Sequence, residues 1–421
     1  MPAAELFGAL RERNFRLLWL GQATSVLGDA LVPVALAFAV LDLTGSASDL
    51  GFVLAAETIP LVLLVLVGGV WADRLPRQLV MLGSDLVRGA VQATLAVLLL
   101  GGAAELWHLI VLASIHGAAQ AFFGPAAIGL VPVTVSPARL QQANALLGLS
   151  RSAGFVVGPA LAGGIVAFAE PGIAFAFDAG TFAISALSLA LLRIQLGERP
   201  PRQRFLADLA AGWRDFASRT WLWVVVVWAT TYLFVVVAPF QVLGPFVAKQ
   251  SLGGPAAWGL IGAAWAVGGF LGGALALRWK PRRPMLACCA IIVLSAPAPA
   301  LLALRAPAAA VAVGQLFGGL GIGYFSAVWT TTLQQHVPRE RLSRVSAYDQ
   351  IGSFAFLPLG YALAGPVAAA IGISTTLWIA AGWVVASTAA VIIVPSVRQL
   401  RRADEPGAAE TLPAEPRRAQ T

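Results

Sequence analysis

Residues 68–78 read GGVWADRLPRQ and interrupt a long apolar run. Gly68, Gly69 and Trp71 lead into Asp73-Arg74, then Leu75-Pro76, then Arg77. Immediately upstream, residues 62–67 are VLLVLV. A compact charged cluster with a proline, set between two wholly apolar stretches, marks a short turn at the edge of a membrane. Two arginines suit such a turn, because basic residues favour the cytoplasmic side of a bilayer. The acid needs a separate reason.

The whole chain fits that setting. Of 421 residues, 58% are hydrophobic and only 11% charged, and the mean hydropathy is +0.81. A soluble domain of this size needs more charge to cover its surface, so the chain belongs in a bilayer. Glycine is abundant, at 43 residues, as closely packed membrane helices require. Apolar windows long enough to span predict twelve helices: 16–41, 49–72, 78–100, 107–132, 143–168, 172–194, 221–247, 256–279, 285–304, 308–334, 345–370 and 373–396. The N-terminal Arg11 and Arg13 precede the first window and Arg16 opens it; the window lacks a cleavage signal and is read as a retained helix.

Charge placement then sets the topology. Arg74, Arg77, Arg139, Lys280, Arg282, Arg283, Arg339, Arg341 and Arg344 fall in alternate loops, and further arginines crowd residues 195–219 and the C-terminal tail. The loops on the other side carry only Lys249 and Arg305. Both termini and the central linker are therefore expected in the cytoplasm, and the protein in the cell membrane. Topology accounts for the formal net charge of +8, which leaves no reason to invoke nucleic acid. Cys288 and Cys289 are adjacent in an apolar run and read as small packing residues.

The chain also repeats. GGVWADRLPRQLVM at 68–81 matches GGALALRWKPRRPM at 272–285, and Gly158 and Gly163 have counterparts in Gly360 and Gly365. The expected fold class is all-α integral membrane: twelve transmembrane helices in two pseudo-symmetric six-helix bundles. The bundles would cover 1–194 and 220–396, joined by a cytoplasmic linker, 195–219, and followed by a disordered tail, 397–421. In the linker, Phe205, Leu209, Trp213 and Phe216 recur at helical spacing. That suggests an interfacial amphipathic helix, with an ordinary connector as the alternative. Two such halves imply a transporter with its substrate site between them.

At this point GGVWADRLPRQ resembles the loop between helices two and three of the major facilitator superfamily. Gly69, Asp73, Arg74 and Arg77 fall in register, while Pro76 and Gln78 depart from the pattern. The resemblance implies that these four residues form a cytoplasmic gate latch that holds the outward-facing state. The alternative is a polar turn with topogenic arginines. In the fifth helix, SRSAGFVVGPALAGG at 150–164 resembles the superfamily's antiporter motif through Gly154, Gly158, Pro159 and Gly163. Generic small-residue packing is the alternative, but the resemblance implies export. SDLVRG, FFGPA, LQQANALLGLSRS and ALAGP extend the likeness towards the branch of macrolide and multidrug efflux proteins and a siderophore exporter.

Ionisable residues inside the spans are costly and so are functional candidates by default. Asp29, Glu57 and Asp178 lie deep, and at least one of them is expected to carry coupling protons, the alternative being to accept hydrogen bonds between helices. Asp85, Arg88, Arg151 and Asp349 lie nearer the cytoplasmic ends and are expected to form a structural network around the gate. His116 in the fourth helix could titrate, but reads as a hydrogen-bonded packing residue. The fourth-helix arginine common in proton-coupled drug antiporters is absent from ASIHGAAQAFFGP.

No phosphate-binding G-x-x-x-x-G-K-[ST], H-E-x-x-H, C-x-x-C or G-x-S-x-G occurs. The reading is therefore a non-enzymatic secondary exporter of a small amphipathic or hydrophobic compound in exchange for protons, working as a monomer without cofactor or metal. An uptake permease of the same fold, or a non-transporting sensor or scaffold, are the rivals.

Overall fold

A computed structural model of the chain describes residues 8–194 and 213–402. Among the described residues all regular structure is helical, and twelve helical segments are long and apolar enough to cross a membrane. The sequence windows match these helices to within about four residues, except that the fifth span begins six residues earlier and the seventh ends five later. The spans run from Arg13–Thr44 to Ile373–Ile393.

Several spans are broken where the sequence dictates. The first divides into helices Arg13–Asp29 and Val32–Thr44. Pro33 has no N–H to offer the carbonyl of Asp29, four residues back, so the ladder stops there. The ninth, weakened by Pro297 and Pro299, divides into Pro284–Ile292, a 3-10 turn at Val293–Ser295, and Pro297–Ala303. The eleventh divides into Arg339–Phe354 and Leu357–Ile371, with Pro358 at the restart. The seventh contains two π-helical stretches, Leu233–Val237 and Ala248–Leu252.

In lipid the driving force between helices is close packing rather than exclusion of water. One packed cluster lies at each end of each half. At the end carrying the arginine-rich loops, Phe15, Met81, Leu130 and Leu147 centre the first half, and Trp221, Trp329, Cys288 and Cys289 the second. At the opposite end the clusters approach across the halves: Phe246 and Trp258 of the second half pack against the first, and Ala55 of the first packs into the second.

The backbones also come closest there. The fifth span meets the eighth, where a β-carbon on Gly163 would lie 3.0 Å from the Cα of Gly259. The second meets the eleventh, where Gly51 abuts the Tyr361 carbonyl and Gly365 abuts Ser48. An ion pair crosses the same end, from Lys249 Nζ to Asp42 Oδ1 at 2.6 Å.

At the arginine-rich end, Glu12 accepts from the Ser136 N–H at 2.9 Å and the Ser136 hydroxyl at 2.7 Å, tying the chain start to the loop between the fourth and fifth spans. Most of the linker, 195–212, lies outside the described residues. Trp213 and Phe216 within it stack on each other at 5.8 Å, and both meet the ring of Tyr348. The tail is packed further than composition suggests. Val397 and Leu400 are buried, and the Arg402 N–H donates to the Arg282 carbonyl at 3.1 Å. Residues 403–421 lie outside the described part.

Candidate functional site

The break in the first span leaves Asp29 as the last residue of its helix. Around it the first half assembles its buried polar groups from the first, second, third, fourth and sixth spans. The third span supplies most of them. Ser84, Asp85, Arg88 and Gln92 share its buried face with Met81, Val91 and Leu95. A helical stripe of this kind points inward, and here it carries a full ion pair.

Arg88 is the hub. Its Nη2 donates to Asp85 Oδ1 at 2.5 Å, and its Nη1 lies 3.6 Å from Asp29 Oδ2. Its guanidinium carbon sits 4.4 Å from the ring centres of both Phe123 and Phe182. Two rings and two carboxylates therefore hold one desolvated cation. Ser185 donates to the second oxygen of Asp85 at 2.6 Å. Asp85 and Arg88 are almost wholly buried, whereas the Asp29 side chain is 34% exposed.

Two further acids flank this hub. Asp178 accepts from the Thr181 hydroxyl at 3.1 Å, and its Oδ2 is buried without a hydrogen-bond partner. Gly28, beside Asp29, packs so tightly on Asp178 and Thr181 that a β-carbon would lie 3.1 Å from Asp178 Cγ. Glu57 Oε1 lies 3.2 Å from His116 Nδ1. His116 Nε2 is buried and unpartnered, and its ring lies edge-on to Phe182.

A cavity of about 320 Å³ opens beside the hub. Asp29, Arg88, Gln22, Gln120, Phe123 and Arg151 are among its walls, all from the first half.

The structure thus brings Asp29, Glu57 and Asp178 into one neighbourhood. It does not bring Asp85, Arg88, Arg151 and Asp349 into one network at the gate. Counting 1.5 Å per residue from Arg77, Asp85 and Arg88 stand about 12 and 16 Å into their helix, and they belong with Asp29. Asp349 lies in the other half, where Trp329 Nε1 donates to it at 3.0 Å. His116, expected as a hydrogen-bonded packing residue, has Glu57 as its partner. The signal that would have placed Arg88 was the period of Ser84, Asp85, Arg88 and Gln92 along one helix face.

The loop of GGVWADRLPRQ, expected as a gate, has a definite anchor. Gly69, Asp73 and Arg74 fall in helix Ala47–Arg74, which ends at Arg74, and the side chain of Asp73 lies outside the described part. Arg77 opens the next helix and donates to the Gly129 carbonyl of the fourth span at 2.8 Å. Gln78, standing where a base was expected, donates to the Leu189 carbonyl at 2.7 Å, at the end of the sixth span. A neutral amide satisfies a helix-end carbonyl there.

Gly154 and Gly158 pack on the first span and Gly163 on the eighth. A β-carbon on Gly154 would lie 3.3 Å from the Val26 carbonyl oxygen, and one on Gly158 would lie 3.0 Å from that of Ala30, at the break in the first span. Pro159 carries its carbonyl against Gly259 of the eighth span, close to where Gly163 meets the same residue.

Residues 18–355 match the family model described as Major Facilitator Superfamily. With twelve spans in two six-helix bundles, the chain belongs to that superfamily and is a membrane transporter. It is 24% identical to macrolide efflux protein A of Streptococcus pyogenes, over 93% of this chain and 97% of that protein. It is 28% identical to the multidrug efflux pump Tap of Mycolicibacterium fortuitum, over 93% and 98%. Its fold is similar to the crystal structure of a bacterial homologue of the human lysosomal transporter Spinster, in an inward-facing and unoccupied conformation. The TM-score is 0.71 and the identity 15%, covering 94% of this chain and 99% of that one.

Proposed function

We propose that the chain exports a small amphipathic or hydrophobic compound across the cell membrane in exchange for protons. The observation that carries this reading is the buried Arg88 hub, with two carboxylates competing for one guanidinium beside an open cavity. Proton arrival on Asp29 would release it from Arg88 and leave Arg88 to Asp85. That changes the charge facing the cavity without leaving a buried cation unpaired. Arg88 would supply from the third span the fixed cation that the fourth lacks. Similarity to efflux proteins supports the direction.

In this reading the arginine-rich end faces the cytoplasm. The halves meet at the other end, through Gly163–Gly259, Gly51–Tyr361 and Lys249–Asp42, so the conformation is open to the cytoplasm. Asp73, Arg74 and Arg77 would latch the cytoplasmic side in the alternate state. The smooth face of Gly154, Gly158 and Gly163 would carry the fifth span against the first and eighth during the exchange.

The test uses inside-out vesicles with an acid lumen and a pH-sensitive dye. Macrolides, tetracyclines, cationic dyes and siderophores are added singly. Proton release on adding one compound, lost in Asp29→Asn, is the expected result. Release that persists unchanged in Asp29→Asn removes Asp29 from coupling. Substrate accumulation on the opposite side would favour an uptake permease.

A further inference from the structure

We propose that the cavity beside Asp29 receives an acidic group of the transported molecule, a carboxylate, sulfonate or phosphate, and that Arg151 binds it. The proposal rests on the transporter reading above and deepens it.

Arg151 is out of place as a topogenic residue. It stands about 16 Å into helix Leu140–Phe168, counting 1.5 Å per residue, whereas the arginines that set orientation sit in loops and at helix ends. A charge at that depth is expensive unless it serves a ligand or a partner. Among the described residues Arg151 has no hydrogen bond, ion pair or ring contact, although it is exposed and lines the cavity. The other arginine in the same wall is held by Asp85, Asp29 and two phenyl rings. Asp29, the acid of this wall, is therefore already engaged with Arg88.

The remaining polar wall groups are neutral. Gln120 is exposed to the cavity side. Gln22 is 5% exposed, and its Nε2 has no partner. Leu61, Val65 and Phe123 complete an apolar surface. A guanidinium with free N–H groups, amides, and an apolar wall suit an amphipathic acid. The planar fork of arginine matches carboxylate and phosphate oxygens two at a time, which an ammonium does not. A lipophilic cation would instead meet Arg151 as a like charge.

The test is equilibrium binding to the purified full-length protein in discs of zwitterionic lipid, read by energy transfer from tryptophan. The probes are a dansyl-aminoalkyl carboxylate, its methyl ester and the matching dansyl alkylamine. The carboxylate is expected to bind at least roughly tenfold tighter than the ester or amine, as for other charge-assisted contacts. Arg151→Gln should bring the carboxylate to the ester's affinity and leave the ester unchanged, while Arg151→Lys should keep part of the preference.

Equal or tighter binding of the ester or amine by the unaltered protein overturns the proposal, whether or not the variants fold. So does an Arg151→Gln effect of the same size on all three probes, which would mark a structural or gating arginine. Adding phosphatidylglycerol to the discs separates the two sources of acid. Unchanged carboxylate affinity supports a soluble ligand, and competitive loss assigns Arg151 to a lipid headgroup and overturns the substrate claim. Because binding needs no gradient, carboxylate preference without export in vesicles would sink the exporter reading alone. Export of amines with no carboxylate preference would sink this inference alone.

Discussion

Lys249, on the seventh span, places its ammonium 2.6 Å from Asp42 and 2.7 Å from the Leu41 carbonyl, both on the first. One side chain thereby ties the two halves at the end away from the arginine-rich loops. The lysine emerges from the π-helical stretch Ala248–Leu252. The pair is partly exposed, with side-chain accessibilities of 37% and 53%, so it contributes about 1 kcal/mol or less. That is enough to change a two-state ratio roughly fivefold.

Lys249→Met or Asp42→Asn should therefore shift the protein towards opening at that end. Ser48→Cys, whose backbone packs against Gly365, reports this by faster labelling with an impermeant maleimide. The exchanged pair Asp42→Lys with Lys249→Asp should restore slow labelling. Labelling that ignores both single variants would show that packing alone holds the end shut.

Arg88→Gln removes the cation that two carboxylates share and leaves Asp85 buried beside Ser185 alone. Loss of a partner from a buried ion pair costs about 3–5 kcal/mol, so this variant should unfold at clearly lower temperature. Combining it with Asp85→Asn should recover most of the stability without recovering proton-coupled transport. Full transport in the double variant would separate the hub from coupling.

Gly158→Leu forces a side chain into the backbone of Ala30. Overpacking of this kind costs about 1–3 kcal/mol, and transport should fall to background while membrane abundance is largely kept. Gly164→Leu is the control, since a β-carbon there meets nothing within 4 Å. Equal effects of the two would show that the motif does not act through close approach to the first span.

Asp73→Asn should lower transport with normal abundance in the membrane if the loop is a latch. Transport at the unaltered rate would leave GGVWADRLPRQ as a polar turn with topogenic arginines.

Asp349→Ala removes the acceptor of the Trp329 N–H. The loss of a hydrogen bond to a charged group, about 1.5–3 kcal/mol, should lower thermal stability and leave the proton-to-substrate ratio unchanged. A changed ratio would place Asp349 in coupling after all.

The sequence by itself determined the number of spans, because about 20 apolar residues cross a bilayer whatever their neighbours are. It also marked the two-fold repeat and the gate and glycine motifs, which are local strings of residues. The break beside Asp29 was not read from the sequence, where 16–41 forms one window, although Pro33 carries its cause. The division of the charged residues into groups was decided only by tertiary structure. Asp85 and Arg88 are three apart and visibly a pair, but which way their helix turns follows from packing against Phe123, Phe182 and Ser185 on other spans. Asp349 was close to them in expected depth but belongs to the other half, where Trp329 is its partner. Lys249 and Asp42 are separated by more than the length of a whole bundle in the chain, and they meet only because two halves close on one end. Depth is a one-dimensional quantity that residue counting supplies; the rotation of a helix about its axis and the approach of the two halves depend on contacts between segments far apart in the chain.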